Sequence, residues 1–201
     1  MIATLRRLML VSAGAIALSA PGLAQVSADI SKALSAADAA YQRADYAEAA
    51  RWLRVAAEQG DATAQFNLAV LYDTGEGLQQ NYAEAVRWYR LAADQNYAEA
   101  QSNLGAMYFT GEGVTQNYAE AVRWFSLAAD QGDAEAQSNL GGMYYEGEGV
   151  TQNIIEAYKW WSLAVAQGDG GTATKVQLVR VLMTPEQIAE GERRVAEWKP
   201  K

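Results

Sequence analysis

A chain of 201 residues with a formal charge of −8, no histidine and no cysteine lacks the commonest general base, the thiolate nucleophile and the usual zinc ligands. Its acidic balance argues against nucleic acid and anionic membrane surfaces, both of which call for clustered Lys and Arg. Without cysteine there is neither a disulfide framework nor a lipid-attachment site, so stability has to come from packing.

The chain opens on Arg6 and Arg7, an apolar run from Leu8 to Leu18 and small residues up to Ala24, the order of a secretory signal. The apolar run, about 11 residues, is shorter than the roughly 20 that span a bilayer. Residues 1–24 are therefore expected to be a leader cleaved after Ala24, with Ala28 as the second choice. Cleavage removes two arginines and no acid, taking the formal charge from −8 to −10. Residues 25–44 read as an N-terminal capping helix that meets the next one near Tyr41, Asp45, Tyr46 and Ala49.

From Asp45 onward the chain repeats. The 36 residues from Asn81 to Gln116 recur from Asn117 to Gln152 with seven substitutions, at 89/125, 90/126, 96/132, 97/133, 106/142, 109/145 and 110/146. The same frame starts at Asp45 and at Asn153, giving units 45–80, 81–116, 117–152 and a partial 153–169. A fixed period of this length is the mark of stacked supersecondary units, none of which can bury its apolar face alone.

Each unit predicts two helices. Asn81 stands at an N-cap with Glu84 three residues on, and Ala85, Trp88, Tyr89, Ala92 and Ala93 follow at helical spacing. In the second helix Ala100, Leu104, Met107 and Tyr108 form the apolar stripe, and Gly111 suits a left-handed C-cap. Small residues at Ala92, Ala93, Ala100 and Gly105 set against large ones at Trp88 and Tyr108 predict an interlocking core. Trp52, Trp88, Trp124 and Trp160, one per unit, belong to it. The pairs Glu48/Arg51, Glu84/Arg87, Glu120/Arg123 and Glu156/Lys159 predict an outer ladder of ion pairs, each worth only about 0.2–0.5 kcal/mol. Residues 170–201 form C-terminal capping helices, the last of them begun by Thr184, Pro185 and Gln187 as N-cap, N1 and N3 and running to about Trp198.

The pattern A-x-x-x-L-G-x-x-Y, then G-x-G-V, then N/D-Y-x-x-A-x-x-W ending in A-A-x-x-G, resembles the Sel-one-like repeat, a relative of the tetratricopeptide repeat, over residues 45–169. The segment MTPEQIAEGERRVAEWKP resembles the closing part of exported bacterial members. The resemblance implies an all-α protein, an α-α superhelix built as a right-handed solenoid of antiparallel helix pairs, used as a protein-interaction scaffold. With the leader and the missing His, Cys and catalytic motifs, the expectation is a non-enzymatic periplasmic scaffold for a protein or peptide partner, without cofactor or metal. Two alternatives from other classes are a periplasmic regulator of a membrane sensor kinase or exopolysaccharide pathway, and a peptidoglycan- or glycan-associated enzyme or binder.

In the tetratricopeptide relatives the helix carrying L-G-x-x-Y lines a concave groove, and the residue before its Leu is commonly an Asn that bonds a peptide. Here those positions are Asn67, Asn103 and Asn139, whose amides can donate to and accept from a backbone. The alignment adds Phe66, Val70 and Asp73 in the first unit, Ser102 in the second and Ser138 in the third. The chain itself supplies the rest. Three of the seven differences between the copies fall at i, i+3 and i+4 on this helix, where Ala106, Phe109 and Thr110 become Gly142, Tyr145 and Glu146. One face varies while the framework stays fixed, as expected of a face free of packing duty. Glu76, Glu112 and Glu148, one per linker, are too sparse to make a calcium cage or an acid/base pair.

Overall fold

The computed structural model describes residues 21–201, with side chains from residue 25. The expected leader lies outside the described residues except for 21–24, where the first helix already runs. Among the described residues there are ten α-helices, one short 3-10 turn and no strand. None is long and apolar enough to cross a membrane. The chain divides into two compact units, 1–97 and 98–201.

In the first unit α1 (Pro21–Gln42), α2 (Tyr46–Glu58), α3 (Ala62–Thr74) and α4 (Tyr82–Ala93) pack each on the next. In the second, α5 (Ala98–Thr110), α6 (Tyr118–Asp130), α7 (Ala134–Glu146) and α8 (Ile154–Ala166) do the same, and both α9 (Ala173–Leu182) and α10 (Pro185–Glu197) then pack on α8. The two helices expected per repeat are all present.

Local chemistry explains where each helix starts and stops. The side chains of Asn81, Asn117 and Asn153 accept from the backbone N–H three residues on, the N-cap role their position predicts. Thr184 and Gln187 complete a full capping box at the head of α10, with Pro185 in the first turn. In the linkers both glycines adopt left-handed backbone, Gly111 at φ 81° and Gly113 at φ 70° for example. The linker glutamines then cap the helix just ended, Gln116 donating to the Phe109 carbonyl at 2.8 Å and Gln152 to that of Tyr145 at 2.6 Å.

Trp88, Trp124 and Trp160 are buried as expected, while Trp52 is half-buried. Each of the three buried indoles is roofed by the cation before it, Arg87 at 4.0 Å, Arg123 at 3.9 Å and Lys159 at 3.9 Å from the ring centroid. Those cations also hold the expected ion pairs with Glu84, Glu120 and Glu156. The first rung differs. Glu48 pairs with Arg43 at 2.9 Å instead of Arg51, because the short turn between α1 and α2 brings Arg43 beside it.

One buried polar position in each repeat escapes the apolar pattern. Gln65, Gln101 and Gln137 are buried at one position of each repeat, and each accepts from a glutamine 30 residues later, Gln95 at 2.8 Å, Gln131 at 2.8 Å and Gln167 at 3.3 Å. Gln65 and Gln137 also donate to the Ala57 and Ala129 carbonyls, both at 3.1 Å. Buried amides satisfied on both ends fix the angle between neighbouring helices.

The far end closes on α8. Ala157, Tyr158, Trp161, Val179 and Met183 form one buried cluster. Gly191 lets α10 approach, since a Cβ there would sit 2.6 Å from Cδ1 of Tyr158. Arg194 of α10 bonds Glu156 of α8 and also Glu190, and the guanidinium groups of Arg193 and Arg194 hold the Glu190 carboxyl down to about 2. Beyond α10, Lys201 pairs with Asp130 at 2.6 Å, tying the chain end to the close of α6.

Candidate protein-binding face

The groove positions expected in the first unit are closed. Phe66, Asn67, Val70 and Asp73 are all buried, Asn67 at 0% exposure. Phe66 stacks on Tyr97 at 5.1 Å between centroids, and Asp73 accepts from the Tyr89 hydroxyl at 3.1 Å. Bulk explains the difference, because Phe66 and Val70 stand where the later repeats carry Ser and Ala or Gly. These four side chains offer no surface to a partner in the protein as it stands. The amide of Asn67 meets no hydrogen-bond partner among the described residues.

The second unit presents its positions differently. On α5, Ser102 is buried, Asn103, Ala106 and Phe109 are half-buried, and Thr110 is exposed. On α7, Ser138, Asn139, Gly142 and Tyr145 are half-buried and Glu146 is exposed. Helix spacing places Asn103, Ala106 and Thr110 on one face, and Asn139, Gly142 and Glu146 on the matching face of α7. Each aromatic leans on the following helix, Phe109 with its ring 5.3 Å from that of Tyr118 and Tyr145 with its ring 5.5 Å from that of Trp161. One flank of each ring is thus fixed by packing, and the rest stays accessible. Ser138 is engaged, sharing a 2.6 Å hydrogen bond with Thr172 while its carbonyl accepts from Trp161 Nε1 at 2.9 Å.

The two adjacent glycines of α7 have different reasons. A Cβ on Gly141 would lie 2.5 Å from Cδ1 of Trp161, so packing demands glycine there. A Cβ on Gly142 would meet nothing within 4 Å. This leaves an open notch on the variable face.

Electrostatics around α7 are set by Asp133, its N-cap, which accepts from the Ala136 N–H at 2.6 Å. Burial pushes the Asp133 carboxyl above its ordinary value, against the lowering effect of its hydrogen bonds. A raised acid favours the folded state when protonated, so this contribution is present at low pH and is lost as pH rises past the ordinary value near 3.8. Asp133→Asn keeps a good N-cap and removes the partly buried charge. It is expected to leave stability unchanged at pH 3 and to raise it at pH 7, by urea unfolding at both. Equal stability of the two proteins at pH 7 would count against the burial account.

Among the described residues no group of three or more acidic side chains gathers as a metal site. What α5 and α7 offer is amides, hydroxyls and aromatic edges on a regular array of helices, the equipment of a binding surface. This is the class of all-α helical-repeat interaction proteins.

The Sel1 repeat model matches residues 38–61, 62–97, 98–133 and 134–169, and the chain belongs to the Sel1 repeat family. Its frame keeps the 36-residue period but begins each unit one helix later than Asn81 and Asn117. Among solved structures the chain is similar to a protective antigen of uropathogenic Escherichia coli strains with an SLR fold, at 36% identity and a TM-score of 0.71 over 85% of this chain and 40% of that one. It is also similar to a Sel1 repeat protein from Oxalobacter formigenes, at 39% identity and a TM-score of 0.58 over 62% of this chain and 94% of that one. The chain thus spans less than half of the first and nearly all of the second. No curated protein matches. The Sel1 repeat fold is generally a protein–protein interaction scaffold, and proteins built on it are typically non-enzymatic.

Proposed function

We propose that this chain is an exported, periplasmic, non-enzymatic adaptor that holds a segment of a protein partner on the paired faces of α5 and α7. One observation carries the reading: the copy-to-copy differences on these two helices fall on the half-buried and exposed positions 106, 109, 110, 142, 145 and 146, while the buried positions of the same two helices are kept. Asn103 and Asn139 lie beside them with amides suited to a partner's backbone, and Phe109 and Tyr145 supply aromatic edges of the kind that anchor interfaces. Export rests on the charged, apolar and small-residue order of residues 1–24, and the mature chain would begin at Gln25.

The test is crosslinking in periplasmic extract, wild type beside the Asn103→Ala, Phe109→Ala double variant, with circular dichroism to establish that both are folded. The variant is expected to lose the partner that wild type captures. Identical partner lists would remove the assignment to α5 and α7, and a secreted chain still beginning at Met1 would remove the leader.

A further inference from the structure

The repeat register carries the variable face one repeat beyond α7, to α9. Adding one period to 142, 145 and 146 gives 178, 181 and 182. Those residues are Leu178, Val181 and Leu182 of α9, exposed by 57%, 84% and 56%. Where earlier repeats hold Ala, Phe and Thr or Gly, Tyr and Glu, this helix holds three aliphatic side chains in water. Their spacing puts them on one face. The opposite face, Val176, Val179 and Met183, is the one that packs on α8, so the fold of α9 makes no use of the triad. Three aliphatic side chains exposed on one helix face are the kind of surface an interaction site presents.

Two observations define the occupant. Helices α5 and α7 each pack on the helix that follows, whereas α10 lies on α8 and meets α9 through the Arg180–Glu192 ion pair at 3.2 Å. The aliphatic ridge is therefore left open by the chain's own last helix. The second observation is charge. Helix α9 contains no acid and two bases, Lys175 and Arg180, in a chain of formal charge −8. Lys175 shares the face of Leu178 and Leu182, and its ammonium stands 5.7 Å from the centroid of the Trp161 ring that Tyr145 also approaches. Two copies docked α9 on α9 would set these bases against each other. A partner with aliphatic and acidic side chains satisfies both features.

We infer that α9, with Tyr145 at its border, is a docking face for an amphipathic helix of a protein partner, which packs aliphatic side chains on Leu178, Val181 and Leu182 and brings a carboxylate to Lys175. The inference rests on the proposed scaffold role but on different residues. A helix with apolar anchors at i, i+3 and i+4 matches a ridge of the same spacing, and the acid–lysine pair at the rim sets orientation.

The probe is a synthetic amphipathic helix of about 18 residues, long enough to be helical, with a leucine stripe and glutamate flanks, beside its lysine-flanked counterpart. Binding to the full purified chain is read by fluorescence anisotropy. The glutamate peptide is expected to bind about tenfold tighter than the lysine peptide. Val181→Asp should weaken it about 10- to 100-fold with unchanged circular dichroism, and Lys175→Glu should reverse the preference. The Asn103→Ala, Phe109→Ala variant should bind the probe as wild type does. Equal binding of both peptides, or binding indifferent to Val181→Asp, overturns the inference. So does a wild-type dimer in sedimentation that Val181→Asp dissociates, since a second copy would then be the occupant. Loss of probe only in the Asn103, Phe109 variant would overturn the α9 site while leaving the α5–α7 reading intact.

Discussion

Truncating Trp124 to alanine will destabilise the second unit by about 3–5 kcal/mol, the range for emptying a large aromatic from a packed core. The indole is only 3% exposed, and its Nε1 makes no hydrogen bond among the described residues, so the whole of its contribution is packing and the cation above it. The cation is the smaller part. Arg123 stacks on the ring at 3.9 Å and pairs with Glu120 at 3.1 Å, but its side chain is half in water, where such contacts are worth about 0.5–1 kcal/mol. Arg123→Ala should therefore cost a small fraction of what Trp124→Ala costs, and Trp124→Phe should fall between. At the opening repeat the ranking changes. Trp52 is half-buried and its Nε1 reaches Glu48 at 3.5 Å, so Trp52→Ala will be milder than Trp124→Ala. Urea unfolding followed by circular dichroism gives all four values, and a loss below about 1 kcal/mol for Trp124→Ala would place the repeated tryptophan outside the core.

The helices, their caps and the tryptophan core were legible because they depend on neighbours within a few residues. Asn117 caps α6 through a bond three residues long, and Thr184 with Gln187 closes a box over the same distance. The buried glutamine pairs were not legible, because the partner that makes burial of Gln101 tolerable lies 30 residues away and nothing in the local pattern separates a buried Gln from a solvated one. Glu48 illustrates the same limit, its pair with Arg43 depending on the geometry of the α1–α2 turn and not on helical spacing. The variable face on α5 and α7 was legible from the two near-identical copies, since on these helices the differing positions are the ones outside the buried core. The copies did not reveal that Phe66 and Val70 fill the corresponding space in the first unit, nor that Leu178, Val181 and Leu182 stand exposed at the same register on α9. There the residues change class from polar and aromatic to aliphatic, and only the register connects them.

The glycines of the second unit should respond to alanine in three different ways. Gly149→Ala is expected to cost about 2–5 kcal/mol. Its φ of 69° lies in the left-handed region, where a Cβ costs about 1–2 kcal/mol, and that Cβ would sit 2.3 Å from the backbone carbon of Tyr118, which has no rotamer to give. Crowding of this kind adds about 1–3 kcal/mol. Gly141→Ala keeps helical backbone, so only the contact with Trp161 Cδ1 at 2.5 Å is at stake, and about 1–3 kcal/mol is expected from overpacking. Gly142→Ala has no neighbour to strike and lies within α7. Replacing glycine with alanine inside a helix then stabilises by about 0.5–1 kcal/mol. If the notch at Gly142 serves the approach of a partner's backbone, this stabler variant will bind the partner more weakly, so its unfolding midpoint and its affinity move in opposite directions. A Gly142→Ala chain that is stabler and binds unchanged would leave the notch without a role in recognition.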